Sequence, residues 1–327
     1  MKASLLHVVG AYFNHWRAPH RSQLARKWVK DALDSGANVT FVEHALGERP
    51  YEFSAEDPDF KHVNLVQIRG DERYEVGLLK EGLLNYGFSR LPEDARYVCW
   101  QDMDVAHVRP DWAAETVHML QHYFVGQTWT HSVDLDEAGN VMRNEWGNDA
   151  DRSFSAAFAA GDVTHDSGAY LPPRALIDAA RKPDARSHSG YSWATRRSAL
   201  TGIGRLVDWD IIGSADYQMA RCFAGAFAGK FDFAASPAYV RRYAEFARLC
   251  DLHIRQSVGV VPGTVLAGFH GAKSTRQYMS RGAVLAESGF DPDRDLARDV
   301  YGLPLLCADN RLLRDGVRRY NRLREDR

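Results

Sequence analysis

The sequence predicts an α/β fold, with a mixed, mostly parallel sheet flanked by helices. Three observations point to it. A strand-like run, an amphipathic helical pattern and a second strand-like run succeed one another within about 40 residues, the signature of a parallel βαβ unit. Further strand-like runs recur at 63–68 and 96–100, with a helical pattern between them. A pair of carboxylates then directly follows a β-prone run, and ligands of open α/β sheets gather at the carboxyl ends of strands.

The elements follow in order. Residues 4–10 read as a short buried strand, and the aromatic stretch from Tyr12 to Arg17 as a loop. From Pro19 to Ser35 the pattern is helical: Leu24, Trp28, Val29 and Leu33 lie near one face, and Gly36 suits the stop. Residues 38–43 and 63–68 are the next strands, and 75–89 a helix. Arg96-Tyr97-Val98-Cys99-Trp100 is β-prone and runs into Gln101-Asp102-Met103-Asp104. A helix over 111–122 precedes a strand over 123–127. The polar stretch 131–165 contains Asp-Leu-Asp-Glu-Ala-Gly-Asn, a turn or hairpin, and is the expected active-site insert. A loop at 207–213 leads into a helix near Ser214, an Arg-rich helix covers 238–256, and an apolar run covers 258–269. The expected organisation is one domain over 1–285 and a charged, helical C-terminal extension over 286–327.

Composition narrows the function. The 327 residues are 45% hydrophobic and 26% charged, ordinary for a soluble enzyme. A formal charge of −2 excludes a protein that coats nucleic acid by charge alone. No apolar run approaches the ~20 residues of a membrane span, and no secretory signal is read at the start, so a cytoplasmic location is expected. Four scattered cysteines without a Cys-x-x-Cys pair read as reduced thiols. There is no Gly-x-Gly-x-x-Gly after the first strand and no P-loop, which leaves the common dinucleotide and P-loop readings unsupported.

Four constellations carry chemistry. Asp102 and Asp104, one residue apart at a strand end, can share Mg²⁺ or Mn²⁺, hard cations that prefer oxygen. A solvated turn is their plain alternative. Asp216, in Gly213-Ser214-Ala215-Asp216, is either a helix-capping acid or a general base. His270 ends an apolar run and can ligate a metal, while Lys273 and Arg276 can hold phosphate oxygens. Gly190 beside Tyr191 and Trp193 suits a sugar-stacking floor, with core packing of Trp193 equally open.

In this order the residues resemble a known family. Asp102-x-Asp104 after a Trp-containing strand, Gly190-x-x-Trp193-Ala-x-Arg-Arg, Asp208-x-x-Ile211-x-Gly213-Ser214-x-Asp216 and His270-Gly-x-x-x-x-Arg276-x-Tyr278 look like a GT-A glycosyltransferase. The likeness is to family-2-like enzymes of bacteriophages and bacteria, and more distantly to the galactosyltransferase C-terminal motif. It covers residues 4–282 and touches Lys80-Glu81 with Asn85. The resemblance implies a nucleotide-sugar donor, UDP-linked by family habit, with Tyr12, Asn14 and Glu43 around the nucleoside. It implies Asp102 on the ribose or metal, Asp104 and His270 on Mn²⁺ or Mg²⁺, and Lys273 and Arg276 on the diphosphate. Asp216 would be the base of an inverting displacement, with Gly190, Tyr191 and Trp193 at the sugar and acceptor. The segment lacks the Glu-Asp pair of the galactosyltransferase motif, so the sugar stays open.

The likeness to phage enzymes makes a 5-hydroxymethylpyrimidine in DNA one candidate acceptor, held by the Arg-rich helix and the basic C-terminal end. A cell-surface glycan or a small sugar is the other. The rivals are a retaining glycosyltransferase, a nucleotide-sugar binding module without turnover, and a metal-dependent phosphotransferase or hydrolase.

Overall fold

In this computed structural model the described residues are 2–71, 79–143, 147–163, 187–269, 271, 277, 280–307 and 309–323. The predicted βαβ unit opens the chain. Strand β1 (Leu6–Phe13) is followed by α1 (Pro19–Asp34) and β2 (Asn38–Leu46), and the two strands pair in parallel from His7–Asn38 to Phe13–His44. Strand β3 (Val63–Gly70) pairs in parallel with β2. After α2 (Lys80–Ser89) the chain returns as β4 (Tyr97–Gln101), parallel to β1 on its other side. The order therefore reverses at β1, and such a reversal opens a crevice at the strands' carboxyl ends.

Beyond β4 come β5 (Val105–His107), α3 (Trp112–His122), β6 (Val125–Gln127), β7 (His131–Asp134), β8 (Asp151–Arg152) and α4 (Phe154–Ala159). Strand β9 (Ser192–Arg196) slots antiparallel between β4 and β6. Then follow α5 (Arg197–Ile203), α6 (Ala215–Phe223), α7 (Pro237–His253), β10 (Val258–Val260), β11 (Thr264–Ala267) and α8 (Gly282–Glu287). The main sheet runs β10-β6-β9-β4-β1-β2-β3, and a smaller one β5-β11-β7-β8.

Strand periodicity fills both faces of the main sheet. On β1, Leu6, Val8 and Tyr12 join one core cluster, with Trp28 and Val29 of α1 and Trp112 and Val117 of α3. Val9 faces the other cluster, with Leu83 and Phe88 of α2, Met219 of α6 and Tyr243 of α7. Successive side chains of a strand point to opposite faces, and a sheet covered on both sides reads as near-continuous apolar strands.

The structure departs from the expectations in three places. The first strand extends to Phe13, because Tyr12 packs edge-on against Phe53 with ring centroids 4.9 Å apart, and Ala3–Leu5 form a 3₁₀ turn ahead of it. The apolar run at 258–269 is split by Val261–Gly263 into β10 and β11, which serve different sheets. The segment after 285 holds an antiparallel pair, β12 (Leu296–Arg298) and β13 (Pro304–Leu306), ahead of its helix α9 (Arg311–Leu323). Leu303, Leu305, Leu306, Leu313, Val317 and Tyr320 bury into the same core cluster as Val9. Arg298 closes on the buried Asp208 at 2.6 Å. Among the described residues no helix is long and apolar enough to cross a membrane, and all four cysteines are free thiols.

Candidate functional site

Two features meet at the crevice. The first is a cavity of about 310 Å³ at the carboxyl ends of β1 and β2. Tyr12, Asn14 and Glu43, the predicted nucleoside residues, all line it, with His15, Arg17, His44, Arg49 and Glu52. Their polar atoms are largely engaged. The Asn14 amide brackets Ala18, donating to its carbonyl at 3.1 Å and accepting from its N–H at 2.9 Å. Glu43 accepts from the Glu52 N–H at 2.6 Å and from Gln67 Nε2 at 2.9 Å, and burial raises its pKa. The Tyr12 hydroxyl donates to Glu52 at 2.7 Å. His15 Nε2 lies 3.1 Å from His44 Nδ1, one ring donating to the other.

The second feature is a knot of carboxylates around one ammonium. Asp102 leaves the end of β4, and Lys80 begins α2 with its Nζ 3.1 Å from Asp102 Oδ1 and 3.4 Å from Glu81 Oε1. Burial opposes the Lys80 charge, but Asp102, Glu81 and Asp216 together hold its pKa well above the ordinary value. Burial raises the Asp102 carboxyl; Lys80 works against this, while Asp104 and Asp216 add to it. Glu81 is raised by burial, with Lys80 opposing and Asp216 adding. Met103, between the two aspartates, anchors in the core: a Cβ on Gly10 would come within 2.6 Å of its methyl.

Backbone geometry draws the predicted sugar-site residues to the same knot. The Asp102 N–H donates to the Tyr191 carbonyl at 2.7 Å. Tyr191 has φ +73°, uncommon for a residue with a side chain. Its ring stacks on His188 with centroids 4.1 Å apart, and its hydroxyl donates to Asp134 at 2.9 Å. Asp216 Oδ2 lies where a Cβ on Gly190 would approach to 2.7 Å, so glycine there lets the carboxylate reach the backbone. Asp216 sits in the first turn of α6, after Gly213 at φ +92° and Ser214 at φ +81°.

Asp102, Asp104, Asp216, Gly190 and Tyr191 are thus brought together. Trp193 is not at the floor of the site. It is 2% exposed, stacked over Trp100 at 6.5 Å and edge-on to Phe223 at 5.3 Å, because β9 is an interior strand whose alternate residues enter the core. Its indole N–H donates to the Ser189 carbonyl at 2.7 Å, which braces the loop beneath Gly190. Asn85 is likewise structural, holding the backbone of Leu206. His270, Lys273 and Arg276 lie outside the described residues. The strand leading toward them ends beside Asp104, whose carbonyl accepts from the Gly268 N–H at 2.6 Å. Among the described residues no three His, Cys, Asp or Glu side chains form a metal-binding group. Sequence reasoning quoted His188 at the start of the Gly190–Trp193 run and Asp134 near the start of the expected active-site insert but gave neither a role; it missed Arg281, and Lys80 and Glu81 entered only through the family likeness.

No protein-family model matches the chain, and no curated protein matches it. Among solved structures it is similar to glucosyl-3-phosphoglycerate synthase of Mycobacterium tuberculosis, at 12% identity over 93% of this chain and 88% of that one, with a TM-score of 0.40. A structure of that enzyme in complex with Mg²⁺ and uridine diphosphate aligns at 12% identity over 89% and 81%, TM-score 0.39. The 4-diphosphocytidyl-2C-methyl-D-erythritol synthase of Anaerococcus prevotii aligns at 10% identity over 80% and 90%, TM-score 0.34. At these scores the likenesses carry no argument, and the functional reading rests on the geometry of the site.

The cavity histidines make acid stability testable. Burial, with the neighbouring His44, Arg21 and Arg49, depresses His15 to about 3, and burial depresses His44 to about 4. An unfolded histidine titrates near 6.5, so on acidification the unfolded chain takes up protons first. The neutral pair's stabilisation is therefore full above about pH 6.5 and is lost as pH falls toward 4, at roughly 1.4 kcal/mol per histidine per pH unit. Urea melts between pH 7.5 and 4.5 should show a shallower pH slope for His15→Gln than for the unsubstituted chain. Equal slopes would show that His15 titrates normally.

Proposed function

We propose that the chain is a GT-A-like glycosyltransferase that moves a sugar from a nucleoside-diphosphate donor to an acceptor hydroxyl, with Asp216 as general base. The observation that supports this best is the meeting of Asp102, Asp104 and Asp216 around Lys80, next to a cavity at the neighbouring strand ends. Tyr12 and the cavity wall would take the nucleoside, and the carboxylate knot lies where the diphosphate and sugar would follow.

Asp102 and Asp104 are the hard oxygen donors of this locality; with no third described ligand beside them, a cation there would need His270 or the donor's own phosphate oxygens. Asp102 and Asp104 would hold Mg²⁺ or Mn²⁺, with His270 as a third ligand. Such a cation would neutralise the departing diphosphate. Lys273 and Arg276 would add charge on the phosphate oxygens.

The transfer step balances as a single displacement. The acceptor oxygen attacks the sugar C1 while Asp216 takes its proton. The C1–O bond to the diphosphate breaks, and the nucleoside diphosphate leaves with the electron pair. Attack opposite the leaving group inverts the anomeric centre. Gly190 leaves the Asp216 carboxylate room, and Lys80 offsets the repulsion between Asp216 and the neighbouring Asp102 and Glu81.

Asp216→Asn should keep donor affinity and lower transfer by about 10²–10⁴-fold, as loss of a general base does. Transfer at the full rate, measured by release of the nucleoside diphosphate, would refute Asp216 as the base. Asp104→Ala should abolish the dependence of donor affinity on Mn²⁺ or Mg²⁺, read by calorimetry with and without the metal. Undiminished metal dependence would remove Asp104 from the ligand set.

The acceptor reading is narrowed by ion pairing. Arg241 and Arg242 of the Arg-rich helix close on Asp293, and Arg248 closes on Glu245. Arg318, Arg319 and Arg322 of α9 are exposed. The pairing of Arg241, Arg242 and Arg248 leaves less of the Arg-rich helix for DNA phosphates, and on that ground alone a glycan or small-sugar hydroxyl is the acceptor we favour over a hydroxymethylated DNA base. Weak, non-saturating retention on hydroxymethylcytosine duplex at about 50 mM salt is the expected result; tight, steeply salt-dependent retention would reverse the preference.

A further inference from the structure

The turn that presents Asp216 is strained, and something must hold it. Gly213 and Ser214 both stand in the left-handed region, and a non-glycine residue there persists only where its surroundings over-determine it. The Ser214 side chain makes no cap to its own helix. Its hydroxyl instead accepts from Arg281 Nη2, a residue 67 positions later. A Cβ on Gly213 would come within 2.8 Å of Arg281 Nη1, so the guanidinium lies against the turn itself. On the other side, the Asp210 carbonyl accepts from the Gly213 N–H at 3.3 Å.

Arg281 is itself built in. Burial works against its charge, while a hydrogen bond to the Tyr320 hydroxyl and the nearby Asp210 and Asp216 carboxylates favour it. Tyr320 is 2% exposed on α9, and Asp210 is 5% exposed, accepting from the Tyr243 hydroxyl of α7 at 3.0 Å. One guanidinium therefore joins the turn at 213–214 to the field at Asp216.

We infer that Arg281 is a positioning residue for Asp216, acting through its hydrogen bond to Ser214 and its contact with the 213–214 turn. The inference rests on the reading of Asp216 as base. Arg281 touches the turn; it fixes where the carboxylate stands beside Gly190. A displacement of about 1 Å in a reacting group can cost about 10²-fold in rate.

The test compares Arg281→Met, Arg281→Lys, Tyr320→Phe and Asp216→Asn in the full chain. Arg281→Met should lower kcat by about 10²-fold with the donor KM within about threefold. Arg281→Lys, which restores charge but not the fork, should recover part of that loss, and Tyr320→Phe should lower kcat several-fold with KM unchanged. A crystal structure of Arg281→Met should show Ser214 outside the left-handed region, a readout independent of turnover. If Arg281→Met does not fold, the same kcat-against-KM split in Arg281→Lys and Tyr320→Phe decides. An inactive Asp216→Asn beside a fully active Arg281→Met overturns the positioning role alone, and a raised donor KM at unchanged kcat does the same. An active Asp216→Asn overturns the base reading itself.

Discussion

Lys80 is the charge on which the centre depends. Asp102 comes from the end of β4, Asp104 from the turn after it, Glu81 from the first turn of α2 and Asp216 from the first turn of α6. Like charges about 4 Å apart repel by about 4 kcal/mol at an effective dielectric near 20. Such a group is tolerable only with a cation inside it, and Lys80 lies within 3.4 Å of two of the carboxylates. Lys80 and Asp102 are partly exposed, so removing one partner leaves a half-buried charge whose desolvation is less fully offset. The relative placement of β4, α2 and α6 is therefore an electrostatic requirement as well as a matter of packing. The carboxylates still outnumber Lys80, and this excess negative charge links the fold's charge balance to the proposed chemistry.

Backbone strain follows from the same crowding. Tyr191 must offer its carbonyl to Asp102 while its ring stacks on His188, and it does so at φ +73°. Ser214 must turn the chain so that Asp216 meets the backbone at Gly190, and it does so at φ +81°. Each such residue costs about 1–3 kcal/mol. Both flank the carboxylate knot. Two compensating contacts come from sequence-distant parts, Gln127 holding the Gly190 carbonyl and Arg281 the Ser214 hydroxyl, while Trp193 holds the Ser189 carbonyl locally.

These long-range braces mark the limit of what the sequence discloses. The βαβ opening, the strand before Asp102 and the helix carrying Asp216 are legible because hydrophobic period and turn residues are local signals. Asp102-x-Asp104 is legible because both acids lie on one short turn. Tyr12, Asn14 and Glu43 were placed around a nucleoside by family likeness, and all three do line one cavity. Arg281 and Asp134 carry no local signal, since each acts across dozens of residues on a partner chosen by the fold. Trp193 misleads for the opposite reason: a Gly-aromatic run reads as a surface platform, but β9 enters the sheet between two neighbours and turns that ring inward. The segment after 285 reads as a charged helical tail because its arginines dominate the composition. Its Leu303, Leu305, Leu306 and Tyr320 nevertheless complete the core.

The two halves of the crevice differ in charge, and this bears on what they can hold. At the ends of β1 and β2 the histidines are kept neutral by burial, Glu43 is bonded to its own neighbours, and Tyr12, Pro19, Ala45, Leu46 and Pro50 share the wall with Arg17, Arg49 and Glu52. At the end of β4 the groups are charged and their mutual repulsion is only partly relieved by Lys80. The first half offers apolar wall and mixed charge, and the second mostly carboxylates. A molecule with a flat, neutral ring at one end and a phosphate-linked, cation-binding portion at the other uses both. A nucleoside diphosphate joined to a sugar has that form. Under the proposed transfer, the strained turn at Ser214 stands at the charged half, where the bond to be broken would lie.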